Sequence, residues 1–468
     1  MSTTPVPPAE HSYRCTLGAI VALGLALRIA GAQGGLWLDE AWSAVQAHEV
    51  GTPAGVFLGI NHDNNHHLNS LWLQAVGLAA PSWLMRLPSI VAGTLAIPLA
   101  AAIARPRGTG GALTTALLFA MSPMLVTMGS EARGYAAMVL ALLGAILCVD
   151  RALAGDAAYR RPTTLALCFA LGALAQLTMV FGALALCGWV FINEARERGV
   201  RQGVRRTVAL FLGPMIALIA VLALVFGAAW ASPTGFRFGS YQPFALMPFL
   251  RAIVELTGYT MGWPVLTLAL PAAALVLLIA APRLGASRPI FYALAIFAFP
   301  AGLALLHAGN TGHARYYLLT TVALLLMLGE IVGGALNRGG WWRWGGLAAL
   351  AVFGVGAMGQ DLHLAANRRG DPSRAIAAMA GRAPDGASVL LDRETGRAIL
   401  RVAAAQPHYR LTIVSAACPP APFAFVDRFS GEALPRAFVR CGRRYSPVAS
   451  ARARGLSGSH WTLYARAH

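Results

Sequence analysis

The run PTTLALCFALGALAQLTMVFGALALCGWVFIN, residues 162–193, decides the architecture. A helix crossing a bilayer needs about 20 apolar residues, with about 17 a working minimum. Residues 162–193 therefore hold either one over-long span or two short ones in a tight hairpin. The polar Gln176-Leu177-Thr178 in the middle favours two, near 162–178 and 179–193. A single span would move every later loop to the other side of the membrane. Outward from this hairpin, further apolar runs lie near 14–32, 86–104, 111–128, 135–153, 206–228, 264–281, 289–307, 315–333 and 344–359, about eleven in all.

Charge placement checks the count. The chain is 57% hydrophobic and 12% charged with mean hydropathy +0.59, against about 25% charged residues in soluble domains. All 37 basic residues are arginine, and they outweigh 19 acidic ones to give +18. No basic face or stacking platform accompanies that charge, so nucleic acid is not an expected partner. Arginines in short loops between apolar runs mark the cytoplasmic side. Arg14, Arg105, Arg107, Arg151, Arg160, Arg161, the cluster Arg196 to Arg206, Arg283, Arg288, Arg338 and Arg343 share one side when the N-terminus is cytoplasmic. The expected protein is thus a multi-pass protein of a bacterial inner membrane. It has a transmembrane domain over 1–359, and residues 360–468 lie outside. The first apolar run follows Arg14 and lacks a small-residue cleavage site, so no cleaved signal peptide is expected.

Outside the tail, the arginines left over are Arg28, Arg86, Arg133, Arg237, Arg251 and Arg315, all in or beyond the outer half of the membrane. Arginine there is a functional candidate, although Arg28, Arg237 and Arg251 read more simply as snorkelling. The tail alternates helix patterns (Arg374 to Arg382, Glu394 to Ala405) with strand patterns (Ala387 to Leu391, Tyr409 to Val414, Trp461 to Tyr464), which predicts a small α/β domain. Its Cys418 and Cys441 are expected to form a disulfide in an oxidising compartment. Cys15, Cys148, Cys168 and Cys187 lie in or beside apolar runs and read as packing.

Four polar constellations fall on the outer side. In Leu36-Trp37-Leu38-Asp39-Glu40-Ala41-Trp42, two carboxylates sit among aromatic rings. That setting suits a proton acceptor or a divalent-cation ligand, or else a helix cap. The loop 33–85 is too long for a mere connection. It carries Asn61-His62-Asp63-Asn64-Asn65-His66-His67, which is either a metal site or a polar turn. After it, Leu68 to Ala80 can lie as an interfacial helix with Trp72 and Trp83 at headgroup depth. Gly129-Ser130-Glu131-Ala132-Arg133-Gly134-Tyr135 and Gly309-Asn310-Thr311-Gly312-His313-Ala314-Arg315-Tyr316-Tyr317 each bring a guanidinium suited to phosphate oxygens.

Taken in order along residues 14–335, these motifs resemble the GT-C glycosyltransferases, nearest the branch of protein O-mannosyltransferases and the lipid A aminoarabinose transferase. Asp39-Glu40 matches the acidic pair of the first outer loop, Arg86-Leu87-Pro88-Ser89 the motif at the second span, and Ser130-Glu131-Ala132-Arg133-Gly134-Tyr135 the Glu-Ala-Arg-x-Tyr loop. Arg315-Tyr316 matches the opening of a late span. His66-His67-Leu68 stands where the branch often has His-Pro-Pro-Leu, without the prolines. The resemblance implies inverting transfer of a sugar from a polyprenyl-phosphate donor to a protein, lipid or glycan acceptor at an outward cavity beside membrane lipid. By the same analogy Asp39 is the general base, and Glu40 orients the acceptor or a cation. Arg133, His313 and Arg315, with Tyr316, hold the donor phosphate, while Asp63, His66, His67, Glu131 and Tyr135 contact substrate. A flippase for a lipid-linked sugar is the rival reading, but it would be expected to carry inverted repeats and mid-membrane charges.

Overall fold

The computed structural model describes residues 8–61, 66–156, 162–233, 235, 242–265, 268–414, 420–429, 432–440 and 442–466. Asp63, Cys418 and Cys441 lie outside the described residues, as does Arg237. The loop after α1 (Pro8–Gly31) folds into α2 (Leu38–Glu49), α3 (Pro53–Leu58) and α4 (His67–Val76). There follow α5 (Ser82–Ala104), α6 (Thr109–Met121), α7 (Pro123–Met128), α8 (Tyr135–Leu153), α9 (Pro162–Ala175), α10 (Met179–Arg198), α11 (Val200–Ala231), α12 (Leu246–Met261), α13 (Ala269–Ala280), α14 (Pro289–Tyr292), α15 (Phe299–Leu305), α16 (Leu318–Arg338) and α17 (Gly340–Asn367).

Among the described residues seven helices are long and apolar enough to cross a membrane, and with four shorter apolar helices they account for the eleven apolar runs of the sequence. The deciding stretch resolves into two helices, because α9 stops at Ala175 and α10 starts at Met179. At the turn the Gln176 side chain accepts from the Leu177 amide at 2.9 Å, which satisfies a donor that neither helix can use. One element was not expected: α12 lies between residues 228 and 264, where the sequence shows no span. Its 16 residues, with Arg251 and Glu255 among them, are too few to cross a membrane.

Arg28 does not snorkel. It is 1% exposed inside the bundle and donates to the carbonyls of Gly24 (2.9 Å), Phe119 (3.1 Å) and Ala120 (3.2 Å). The reason lies in the break between α6 and α7. Pro123 has no N–H to give Phe119, so carbonyls at the end of α6 need another donor. Gly93 and Gly129 make the room, since a Cβ on either would come within 2.7 or 2.8 Å of the Arg28 guanidinium.

The tail forms the mixed sheet β2-β1-β3-β6-β5-β4, made of β1 (Ala387–Leu391), β2 (Leu411–Val414), β3 (Phe423–Arg428), β4 (Phe438–Arg440), β5 (Arg443–Arg452) and β6 (His460–Arg466). It also contains α18 (Ser373–Ala380) and α19 (Thr395–Ala405). The expected class, a helical membrane domain with a small C-terminal α/β domain, is what the chain adopts. The tail is not a free appendage, however. Trp37, Ala41, Ala44, Val45 and Leu73 from the first loop share one core with Ile376, Met379, Ile399, Phe425 and Trp461. A second tie is Arg369, fully buried, which donates to Gly31 (2.5 Å), Thr127 (3.1 Å) and Ser130 Oγ (2.8 Å) in the bundle and to Ser457 Oγ (3.1 Å) in the tail. Arg368 and Arg369 hold positive φ, 48° and 52°, a conformation disfavoured for arginine and sustained at Arg369 by those four bonds.

Candidate functional site

Trp37, with an extended backbone, precedes helix α2 as its N-cap, which puts Asp39 and Glu40 in the first turn, where the helix dipole favours carboxylates. Successive residues on a helix diverge by about 100°, so the two carboxylates face different ways. Glu40 turns inward and is fully buried. It accepts from Arg86 Nε at 2.8 Å and Arg86 Nη2 at 2.6 Å, from the Ala132 amide at 2.6 Å and from its own Trp37 amide at 3.2 Å. The rest of the Arg86 guanidinium is spent on the carbonyls of Ala32, Gly34 and Gly35 at 2.7, 2.8 and 3.0 Å. Burial pushes the Glu40 carboxyl up, but Arg86 overcomes that and keeps it ionised.

Asp39 turns the other way, into a cavity of about 690 Å³ between the membrane bundle and the tail. Its Oδ2 lies 2.5 Å from Arg133 Nη1 and 2.7 Å from Arg315 Nη1. Burial would raise this carboxyl; Arg315, Arg133 and His313 outweigh it and hold the pKa below the usual value.

The loop 129–134 is fixed on every side, which aims Arg133. Ala132 gives its carbonyl to Asn69 (2.6 Å) and its amide to Glu40, while Arg133 gives its carbonyl to Ser89 (2.7 Å). Gly134 is demanded by space, because a Cβ there would stand 1.8 Å from the Ala175 carbonyl. Arg133 Nε donates to His66 Nε2 at 3.0 Å. His66 must then carry its proton on Nδ1, which lies 3.1 Å from the Ala175 carbonyl. That tautomer is neutral, and burial together with Arg133 drives the His66 pKa well down. Tyr135 stacks its ring against Arg133 (5.1 Å) and edge-on to His66 (4.8 Å). Arg315 comes from a 3₁₀ turn, Ala314–Tyr317, anchored by the Tyr317 hydroxyl, which donates to the Thr311 carbonyl at 2.9 Å.

Of the residues expected at the site, Asp39, Arg133, His313, Arg315 and Tyr316 line the cavity. Glu40 does not reach it, because all its capacity is taken by Arg86 and backbone. His67, next to His66 on a helix, points elsewhere and stacks on Phe57 at 5.1 Å; burial lowers its pKa to about 4. Glu131 is buried behind the loop with Arg369 Nε 3.9 Å away, and burial raises its carboxyl. Among the described residues no three His, Cys, Asp or Glu side chains converge as a metal site. Sequence reasoning missed Arg369 and the tail's share of the cavity, including Asp427, Phe429 and Ser457 to His460. The pair Arg368-Arg369 just after the last span was a usable signal, since two arginines there fall outside the expected positive-inside pattern.

The model of the dolichyl-phosphate-mannose-protein mannosyltransferase family matches residues 66–227. Among solved structures, ArnT from Cupriavidus metallidurans bound to undecaprenyl phosphate aligns with TM-score 0.58 and 14% identity, over 96% of this chain and 97% of that one. Its apo state gives 0.55 and 13% over the same shares. The archaeal oligosaccharyltransferase AglB from Archaeoglobus fulgidus, in complex with an inhibitory peptide and a dolichol-phosphate, gives 0.50 and 13%, over 85% of this chain and 64% of that one. A search of curated proteins found no match. The family model agrees with the motif resemblance over residues 66–227, and the solved structures agree with it in the fold.

Proposed function

We propose that this chain is a membrane glycosyltransferase that moves a sugar from a polyprenyl-phosphate donor to a hydroxyl acceptor on the extracytoplasmic face. The observation that carries this is the meeting of Asp39, Arg133 and Arg315 at one carboxylate oxygen on a cavity wall. Relatives of the same fold bind undecaprenyl phosphate or dolichol-phosphate, and two guanidiniums at an outer helix end suit that phosphate.

The chemistry follows from the competition for those guanidiniums. With no phosphate present they are satisfied by Asp39, which makes Asp39 a poor base. A donor phosphate takes over Arg133 and Arg315, releases Asp39 and lets its pKa rise. The freed carboxylate accepts the acceptor hydroxyl proton, the acceptor oxygen bonds to the anomeric carbon from the opposite face, and the bond from that carbon to phosphate oxygen breaks with inversion. Arg133 and Arg315 stabilise the charge that collects on the departing phosphate. Neutral His66 holds Arg133 without competing for the phosphate. Glu40 acts at one remove, by fixing α2 to the loop 129–134.

The site belongs on the outer side of an inner membrane with the N-terminus in the cytoplasm, the arrangement that positive-inside arginines favour. Neither the family model nor the fold favours the flippase reading. The test is mass spectrometry of lipid-linked sugars and glycans from cells with wild-type protein, Asp39→Asn or no protein. Transfer should fall by about 10²–10⁴ in Asp39→Asn, the usual share of general acid–base catalysis. Wild-type product levels in that variant would overturn the assignment.

A further inference from the structure

The end of the chain carries a charge that the transfer reaction above does not use. Residues 433–468 hold seven arginines and no Asp or Glu. Among the described residues the ion pairs of the tail use other arginines, namely Arg369, Arg393, Arg397, Arg401 and Arg428. Strand pairing, which composition does not record, gathers uncompensated arginines on one face of the sheet. Directly opposed residues share a face: Arg440 opposes Arg443, and Tyr445, two residues on, opposes Arg466. Toward the other end of β5, Arg452 opposes His460, which in turn opposes Arg428 on β3. His460 and Arg428 line the cavity of Asp39, so the basic face runs into it. Like charges opposed across a sheet are destabilising, and Arg440 with Arg443 is such a pair. Arg440 gives one N–H to the Leu391 carbonyl at 2.7 Å, which aims the guanidinium without neutralising it. Arg452 and Arg466 are exposed.

The layout says what kind of anion fits. From Arg443 to Arg452 the strand runs about 30 Å, at about 3.3 Å per residue, far more than one phosphate or carboxylate spans. The ligand that uses both ends is a chain of repeated charges. The opposite face of the sheet, with Phe425, Trp461 and Leu463, shares its core with α2 and with Met85 and Ala132 of the bundle, so the basic face looks away from the bundle and its lipid. Nucleic acid needs exposed rings for stacking, and Phe438, Tyr445 and Tyr464 on this face are buried. An acidic peptide would gain most by pairing with the edge strand β4, which has three residues. We propose that this face binds a linear acidic polysaccharide, held at Arg440, Arg443 and Arg466 and led past Arg452 and His460 into the cavity as the acceptor. The acceptor role rests on the glycosyltransferase reading; the binding does not.

The full chain in phosphatidylcholine nanodiscs is titrated by calorimetry with decagalacturonate, trigalacturonate, maltodecaose and a decaglutamate peptide. Decagalacturonate should bind saturably and about tenfold or more tighter than trigalacturonate, because the longer chain engages both ends at once. Maltodecaose should not bind, and raising the salt from about 0.05 M to about 0.3 M should weaken decagalacturonate binding several-fold. Arg440→Ser combined with Arg443→Ser, Arg466→Glu alone and Arg452→Glu alone should each weaken it several-fold or more. Arg410→Glu, an exposed charge beside β2 at the other edge of the sheet, should leave it unchanged. Thermal unfolding separates lost binding from lost folding, and the exposed Arg452 and Arg466 carry the test if the double variant unfolds. Equal or better binding of the peptide or of maltodecaose would overturn the proposal. So would binding unchanged at Arg440, Arg443, Arg452 and Arg466, or weakened as much by Arg410→Glu. Complete loss of binding in phosphatidylglycerol nanodiscs would overturn it too, by giving the face to lipid. Undecaprenyl phosphate is titrated into the same samples: its failure to bind would strike the donor reading, while decagalacturonate binding judges this one.

Discussion

Asp39 and Glu40 are neighbours on one helix, both acidic, both within reach of arginine, and they end in opposite situations. Glu40 has no exposure, and the guanidinium it meets has every N–H spent on it or on backbone carbonyls. The Asp39 side chain is 17% exposed, opens on a cavity and shares one oxygen between two arginines from loops far apart in the chain. A buried, fully satisfied ion pair fixes geometry, because moving either partner strands a charge. A pair at a cavity edge can be exchanged for a ligand at small loss. Burial and hydrogen-bond saturation, more than residue type, separate the structural carboxylate from the reactive one.

The comparison is broken most strongly through Glu40. Glu40→Gln leaves the Arg86 guanidinium buried without its counter-charge and should destabilise the protein by about 3–5 kcal/mol, seen as a lower unfolding midpoint in detergent and lower membrane levels. A stable Glu40→Gln protein that has lost transfer would put Glu40 in the chemistry instead. His67 gives a pH handle on the same loop. Its pKa falls from 6.5 to about 4 on folding, so between those values the unfolded chain holds the extra proton, and stability drops as pH falls below about 6.5. Going from about pH 7.5 to about pH 5 should remove about 2 kcal/mol through His67. In His67→Phe, which keeps the stack on Phe57, the midpoint should fall less over the same change; an identical fall would assign the acid sensitivity elsewhere. The smallest effect belongs to Arg401 and Glu49, an exposed pair joining α19 to α2. Arg401→Ala should change stability by less than about 1 kcal/mol. A larger loss would mean that the surface pair, and not the shared core, docks the tail.

Apolar length made the bundle legible, even at 162–193, because a helix stop inside hydrocarbon needs polar residues and Gln176 was visible. Arg133 and Arg315 were legible because arginine is costly where they stand. What escaped reading depended on tertiary contact. Glu40 and Asp39 differ by a helix rotation that no composition records, and Arg28 looked like a snorkelling side chain because the break it caps lies some 90 residues on. In the tail, β1, β2 and β6 followed alternation or apolar runs. Strand β5, Arg443–Arg452, hid behind its arginines, serines and Pro447, which sits beside a register shift, where a strand tolerates proline. The tail's part in the cavity could not be read from a sequence that gives no sign of which loop meets which.

The exchange of arginines between Asp39 and the donor phosphate is tested most directly by calorimetric titration of undecaprenyl phosphate into wild-type and Asp39→Asn protein. Asn is nearly isosteric but carries no charge to compete for Arg133 and Arg315, so the variant should bind the lipid phosphate about tenfold more tightly or better while its transfer collapses. Weaker binding in Asp39→Asn would contradict the account, because it would mean that the carboxylate organises the two arginines for phosphate and does not yield them to it.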